Sequence, residues 1–99
     1  MFQIRASSFD REYILNNGAT FSGVRMIEVE MISSGSFELH VVGQGGEKLA
    51  TAPRVNPNGG WNTFDFTGGE INVSAPKYIL KFVNTSPGTK KIKQGTVQP

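Results

Sequence analysis

Residues 36–43 read Ser36-Phe37-Glu38-Leu39-His40-Val41-Val42-Gly43, and their alternation decides the fold. Phe37, Leu39 and Val41 fall on one side of an extended chain, Glu38 and His40 on the other. A period of two describes a strand with one face on a core and one toward solvent. Lys77–Asn84 repeats the pattern, setting Tyr78, Leu80 and Phe82 against Lys77 and Lys81. Residues 62–67 offer Phe64 and Phe66 inward, and residues 70–74 offer Ile71 and Val73. The run from Val24 to Ile32 changes phase, with apolar residues at even positions first and at Ile27, Val29 and Met31 after. That change predicts a bulge near Met26–Ile27. No segment longer than about ten residues keeps a 3.6 period, so no helix is expected.

Compact turn signals separate the runs: Asn16-Asn17-Gly18, Ser33-Ser34-Gly35, Gly43-Gln44-Gly45-Gly46, Asn58-Gly59-Gly60, Gly68-Gly69 and Ser86-Pro87-Gly88. These residues accept the positive φ of tight turns. Short strands so punctuated describe a sandwich or barrel. The expectation is an all-β chain, a jelly-roll-like antiparallel β-sandwich, with residues 1–99 forming one domain. Residues 1–8 are expected as an extended N-terminal arm and residues 86–99 as a basic C-terminal tail.

Composition narrows the function classes. The chain has 99 residues, no cysteine, one His, and a net charge of +2. Disulfides, thiolate catalysis and cysteine-ligated zinc are excluded together. The small net charge gives no field that demands nucleic acid as a partner. No apolar run is long enough to cross a membrane as a helix, and the N-terminus shows no signal-peptide pattern. The charge is nonetheless polarised. Residues 1–70 carry −3, whereas residues 71–99 carry five lysines and no acid. A basic segment of this kind either docks on an acidic partner or protects a solvated edge strand.

Residues 22–84 resemble the core of a family 6-type carbohydrate-binding module. The similarity runs through Val24-Arg25, Val29-Glu30, Ser34-Gly35-Ser36-Phe37-Glu38-Leu39-His40-Val41 and Gly46-Glu47-Lys48-Leu49-Ala50-Thr51. Its most distinctive piece is Asn58-Gly59-Gly60-Trp61-Asn62-Thr63-Phe64, and it closes on Val73-Ser74-Ala75-Pro76 and Tyr78-Ile79-Leu80-Lys81-Phe82. The resemblance implies a jelly-roll sandwich and a sugar site. The family's last strand usually brings an Asn and aromatics to that site, and residues 90–99 contain neither.

Trp61 is the only tryptophan. Facing solvent, its ring would stack on a pyranose, with Asn58 and Asn62 bonding hydroxyls and Tyr13 as the one candidate for a second aromatic wall. Facing inward, it is a large core residue. No nucleophile elbow, P-loop or zinc spacing is present, and Asp10 and Asp65 have no spacing that sets them across a cleft. The expectation is therefore no enzyme, no cofactor and no metal.

In overall character the chain is similar to small capsid decoration (cement) proteins of tailed phages, which are cysteine-free, Gly/Ser/Thr/Asn-rich jelly rolls. That similarity implies a virion accessory subunit that contacts its own copies, as a trimer for example, and a capsid or other shell protein. The expected partner-binding residues are Phe2, Ile4 and Phe9 of the N-terminal arm and Lys90, Lys91 and Lys93 of the tail. The alternative is a stand-alone carbohydrate-binding module, secreted or at a cell surface, that uses Trp61.

Overall fold

A computed structural model describes residues 1–56 and 58–99. Among the described residues nine strands form: β1 (Phe2–Ile4), β2 (Ser7–Phe9), β3 (Glu12–Ile14), β4 (Met26–Met31), β5 (Gly35–Val42), β6 (Lys48–Asn56), β7 (Gly60–Asp65), β8 (Ile79–Asn84) and β9 (Lys90–Gln98). They make two antiparallel sheets. In sheet A, β9 lies between β4 and the successive short strands β1 and β2, and β7 is the far edge; sheet B runs β3-β8-β5-β6. Consecutive strands cross repeatedly between the sheets, which is the jelly-roll arrangement of paired Greek keys.

The alternating residues lock the sheets together. Phe37, Leu39 and Val41 of β5, Leu80 and Phe82 of β8, and Ile27, Val29 and Met31 of β4 are all buried. Phe64 of sheet A meets Phe37 and Phe82 of sheet B with ring centroids 6.1 Å from each. Phe37 and Phe82 are 5.8 Å apart and nearly perpendicular. Each such aromatic removes 150–250 Å² from water, roughly, and the edge-to-face contacts add specificity.

Several sequence expectations are redrawn. The phase change at Val24 is not a bulge at Met26–Ile27, because β4 alternates regularly from Met26 to Met31. Val24 precedes the strand, and the chain bends into it with the Arg25 amide donating to the Gln98 carbonyl at 2.8 Å. The irregularity lies on the partner strand: Glu30 faces Gln94 and Met31 faces Ile92, so Lys93 is the extra residue. Residues 70–74 form no strand, although Ile71 is buried and Val73 packs on the core.

The two segments expected as free arms are sheet strands. Phe2–Ile4 pairs with Gly95–Val97, and Ser7–Phe9 pairs with Lys90–Ile92. Ile4 and Phe9 are buried in the core, and Phe2 packs edge-on against Phe21 at 5.4 Å. Their apolar side chains are drawn into the sandwich because the alternation that suits an arm suits a strand equally well. Lys90 is also internal, at 1% exposure. Its ammonium donates to the carbonyls of Ser86, Pro87 and Gly88 at 3.4, 3.2 and 3.0 Å. Those oxygens replace the water a buried charge requires.

Candidate functional site

The Gly59-Gly60 turn delivers Trp61 to the surface. Gly59 has φ +75, and a Cβ there would lie 2.8 Å from the Met31 carbonyl and 2.9 Å from that of Ile32. Only glycine lets the β6–β7 turn press so closely on the end of β4. The next residue but one is Trp61, 56% exposed on the outer side of edge strand β7.

Register places Trp61 in an ordered polar field. Glu30 pairs with Trp61 on one side and with Gln94 on the other. The following row is Thr63, Glu28, Thr96 and Gln3, and the third is Asp65, Met26 and Gln98. Directly paired residues share a face, so these side chains cover the outside of sheet A. The Gln94 amide donates to Glu30 Oε1 at 2.8 Å, and the Gln98 amide donates to Glu28 Oε1 at 2.8 Å and to Thr96 Oγ1 at 3.0 Å. Beyond Thr63 the face dips into a depression of about 350 Å³ lined by Met26, Thr63, Asp65 and Gln98. The Thr67 hydroxyl and amide both donate to Asp65 and hold its carboxyl below the ordinary carboxylate value.

The outside of sheet B differs in kind. Its outward positions include Ile14, Val42, Pro53, Val55, Ile79 and Val83. Val55 is 76% exposed and Ile14 43%. Among the polar residues of this face, Lys81 pairs with Glu12 at 3.0 Å, and His40 is hydrogen-bonded to Glu38 at 2.8 Å. One layer of the sandwich thus turns mainly amides, carboxylates and hydroxyls outward, whereas the other sets aliphatic groups among Glu12, Ser36, Glu38, His40, Thr51 and Lys81.

The sequence-predicted site is only partly assembled. Trp61 and Asn58 are exposed. Asn62 points inward, buried, with its amide donating to the Gly60 carbonyl at 3.3 Å. Period two dictates this, since Asn62 follows an outward Trp61 and precedes an outward Thr63. Tyr13 lies at the opposite side of the sandwich, on edge strand β3, stacked on Phe9 at 6.3 Å and accepting a hydrogen bond from Ser7. It forms no wall for Trp61. Of the partner candidates, Lys91 and Lys93 are exposed, Phe2 is half-buried, and Ile4, Phe9 and Lys90 are enclosed. Sequence reasoning missed Glu28, Glu30, Gln94, Thr96 and Gln98, whose grouping depends on strands 26–31 and 90–98 becoming neighbours.

Among the described residues no three His, Asp or Glu side chains converge as metal ligands, and no helix is long and apolar enough to cross a membrane. Comparison with family models, with curated proteins and with solved structures returned no match, so the functional reading rests on the chain's own geometry.

Proposed function

We propose that the chain is a non-enzymatic structural subunit, an accessory protein of a virion that decorates a tailed-phage capsid and packs against further copies of itself. The observation that carries this is the aliphatic outer face of sheet B. An outward strand face on a sandwich ordinarily alternates to polar residues, so several aliphatic side chains left on one outer face mark it as a contact surface. Val55 and Ile14 are the most exposed of these groups and lie on the two opposite edge strands, β6 and β3, with Pro53 also exposed and Val42, Ile79 and Val83 half-buried between them. The Lys81–Glu12 ion pair on the same face balances its own charge, so a second copy that covers it leaves neither partner alone.

The attachment differs from the one expected of arms. With residues 2–9 and 90–98 inside sheet A, docking falls to the sandwich face itself. The face is about 26 Å long and about 15 Å wide, from strand rise and spacing. That is small beside the roughly 800 Å² per partner of a stable complex. Each contact is therefore weak, and many copies held on one shell make the association lasting.

Sedimentation at graded concentration tests the proposal. Self-association that strengthens with concentration, and is lost in Val55→Asp and Ile14→Asp while their circular dichroism is unchanged, is the expected result. A chain that remains monomeric at millimolar concentration overturns it.

A further inference from the structure

Along one side of the sandwich, β6 and β7 present the edges of the two sheets. We infer that the Arg54–Glu70 pair is a built-in stop on this side: it occupies the backbone groups through which β7 would pair with β7 of a second copy. This does not rest on the docking reading, which concerns the outer face of sheet B.

Hydrogen bonding fixes which backbone groups face outward. The Phe66 amide donates to the Arg25 carbonyl at 2.9 Å, across the β4–β7 ladder. Alternation then turns the backbone of Asn62 and Phe64 toward β4 and leaves the amides and carbonyls of Trp61, Thr63 and Asp65 at the edge. In sheet B, the Thr85 amide donates to the Ser36 carbonyl at 3.2 Å, so Ser36 and Glu38 bond toward β8. Their partners on β6, Val55 and Pro53, therefore face away from the sheet.

The two edges are closed by different means. At the middle of β6, Pro53 brings no N–H, which blunts that edge, and its carbonyl accepts from Arg54 Nη1 at 2.7 Å. β7 has no proline, and its run Trp61-Asn62-Thr63-Phe64 is rich in residues that favour strands. Here the stop is the ion pair. Arg54 Nη2 donates to the Thr63 carbonyl at 2.6 Å and to Glu70 Oε1 at 2.7 Å. The Glu70 carboxyl is held below its ordinary value by the Arg54 hydrogen bond first, and the Asp65 backbone amide adds to the effect. An acceptor at Thr63 and a donor at Asp65 are thus both engaged within the chain. Charge-assisted bonds of this kind are the strong ones, and an incoming strand would have to displace them.

Freed of the pair, β7 suits its own copy. Antiparallel pairing about a two-fold axis at Thr63 sets Thr63 against Thr63 and Trp61 against Asp65. Every outward amide then meets a carbonyl, no like charges stand opposite each other, and the threonine pair supports the ladder.

The test is sedimentation of Arg54→Met, which keeps an apolar stem over Phe64 but strips the donors. The parent chain and Lys90→Met, whose loss of stability arises elsewhere, are the comparisons. Arg54→Met should self-associate at least tenfold more tightly than either, with slowed exchange of the Trp61 and Thr63 amides in the associated form. Arg54→Ala, as a second variant, should do the same. Adding Thr63→Pro, whose missing N–H faces outward and costs no bond to β4, should return Arg54→Met to the parental state. Association no tighter than the parent's in both Arg54 variants overturns the inference. So does equal association in Lys90→Met, or association of Arg54→Met that survives Thr63→Pro. Docking through sheet B involves neither the Trp61 nor the Thr63 amide, so its failure would leave these outcomes unchanged.

Discussion

The Arg54 guanidinium lies 4.3 Å from the centre of the Phe64 ring, although Arg54 belongs to the edge of sheet B and Phe64 to the edge of sheet A. From there Nη2 donates to the Thr63 carbonyl at 2.6 Å, and Nη1 stands 2.6 Å from Glu70 Oε2. One side chain thus closes the seam between β6 and β7. Arg54→Ala should lower stability by about 1–2 kcal/mol, the sum expected for a part-exposed ion pair and a cation–π contact. Arg54→Lys should recover less than half of this, because an ammonium lacks the planar fork. Urea denaturation of the three proteins checks both statements.

The same latch gives a pH dependence. The hydrogen bond from Arg54 holds the Glu70 carboxyl below its ordinary value of 4.5. A group whose pKa is depressed by folding stabilises the native state above its unfolded value and loses that contribution as pH falls through the folded one. The parent chain should therefore exceed Glu70→Gln in Tm at neutral pH, and the gap should close on acidification below about pH 4. Thermal melts from pH 7 to pH 3 measure it.

Phe64→Ala removes the ring that touches both Phe37 and Phe82. A loss of about 3–5 kcal/mol is expected from transfer and cavity terms. Phe66, which lies past the end of β7 and is only half-buried, should cost less when cut to alanine. Chemical denaturation of the two variants sets the order.

Lys90 and Lys91 are adjacent and should respond unequally. Lys90→Met keeps the buried stem but strips the donor from the carbonyls of Ser86, Pro87 and Gly88. A cost of about 1.5–3 kcal/mol is expected for the lost charge-assisted hydrogen bonds, with the Gly88 carbonyl still accepting from the Asn84 amide. Lys91→Ala, at the surface, should stay within about 0.5 kcal/mol of the parent chain. Amide exchange at Thr85, Ser86, Gly88 and Thr89 should accelerate in the first variant alone.

Gly59→Ala should disturb the surface display of Trp61. It imposes positive φ on an L-residue and drives a methyl group against the Met31 and Ile32 carbonyls. Gly69→Ala, with φ +94 but open space, suffers the backbone strain alone. The first should lose about 1–3 kcal/mol more than the second, with Trp61 emission changing only in the first.

The layer order was legible in the sequence only as far as period two reaches. Phe37, Leu39, Val41, Leu80 and Phe82 announced inward faces, and the structure buries every one. Periodicity carries no information on which strand lies beside which. Residues 1–8 and 86–99 looked like arms because they are short or Lys-rich, yet β9 is an inner strand whose lysines divide between a carbonyl cage and solvent. The polar row from Trp61 to Gln94 was invisible for the same reason: its members are 64 positions apart at Glu30 and Gln94 and meet only through pairing. Asn62 was misjudged on local chemistry, although the parity of its own strand assigns it inward.

The placement of β9 bears on how the sandwich is made. Residues 90–98 slot between strands formed by residues 2–9 and 26–31, so sheet A stays split until the last strand arrives. Until then, β1, β2 and β4 present bare backbone to any passing strand, and pairing over so great a sequence separation is slow. The hazardous species for this chain is therefore the nearly finished one. A shortened product that lacks residue 90 onward should aggregate rather than fold into a smaller domain.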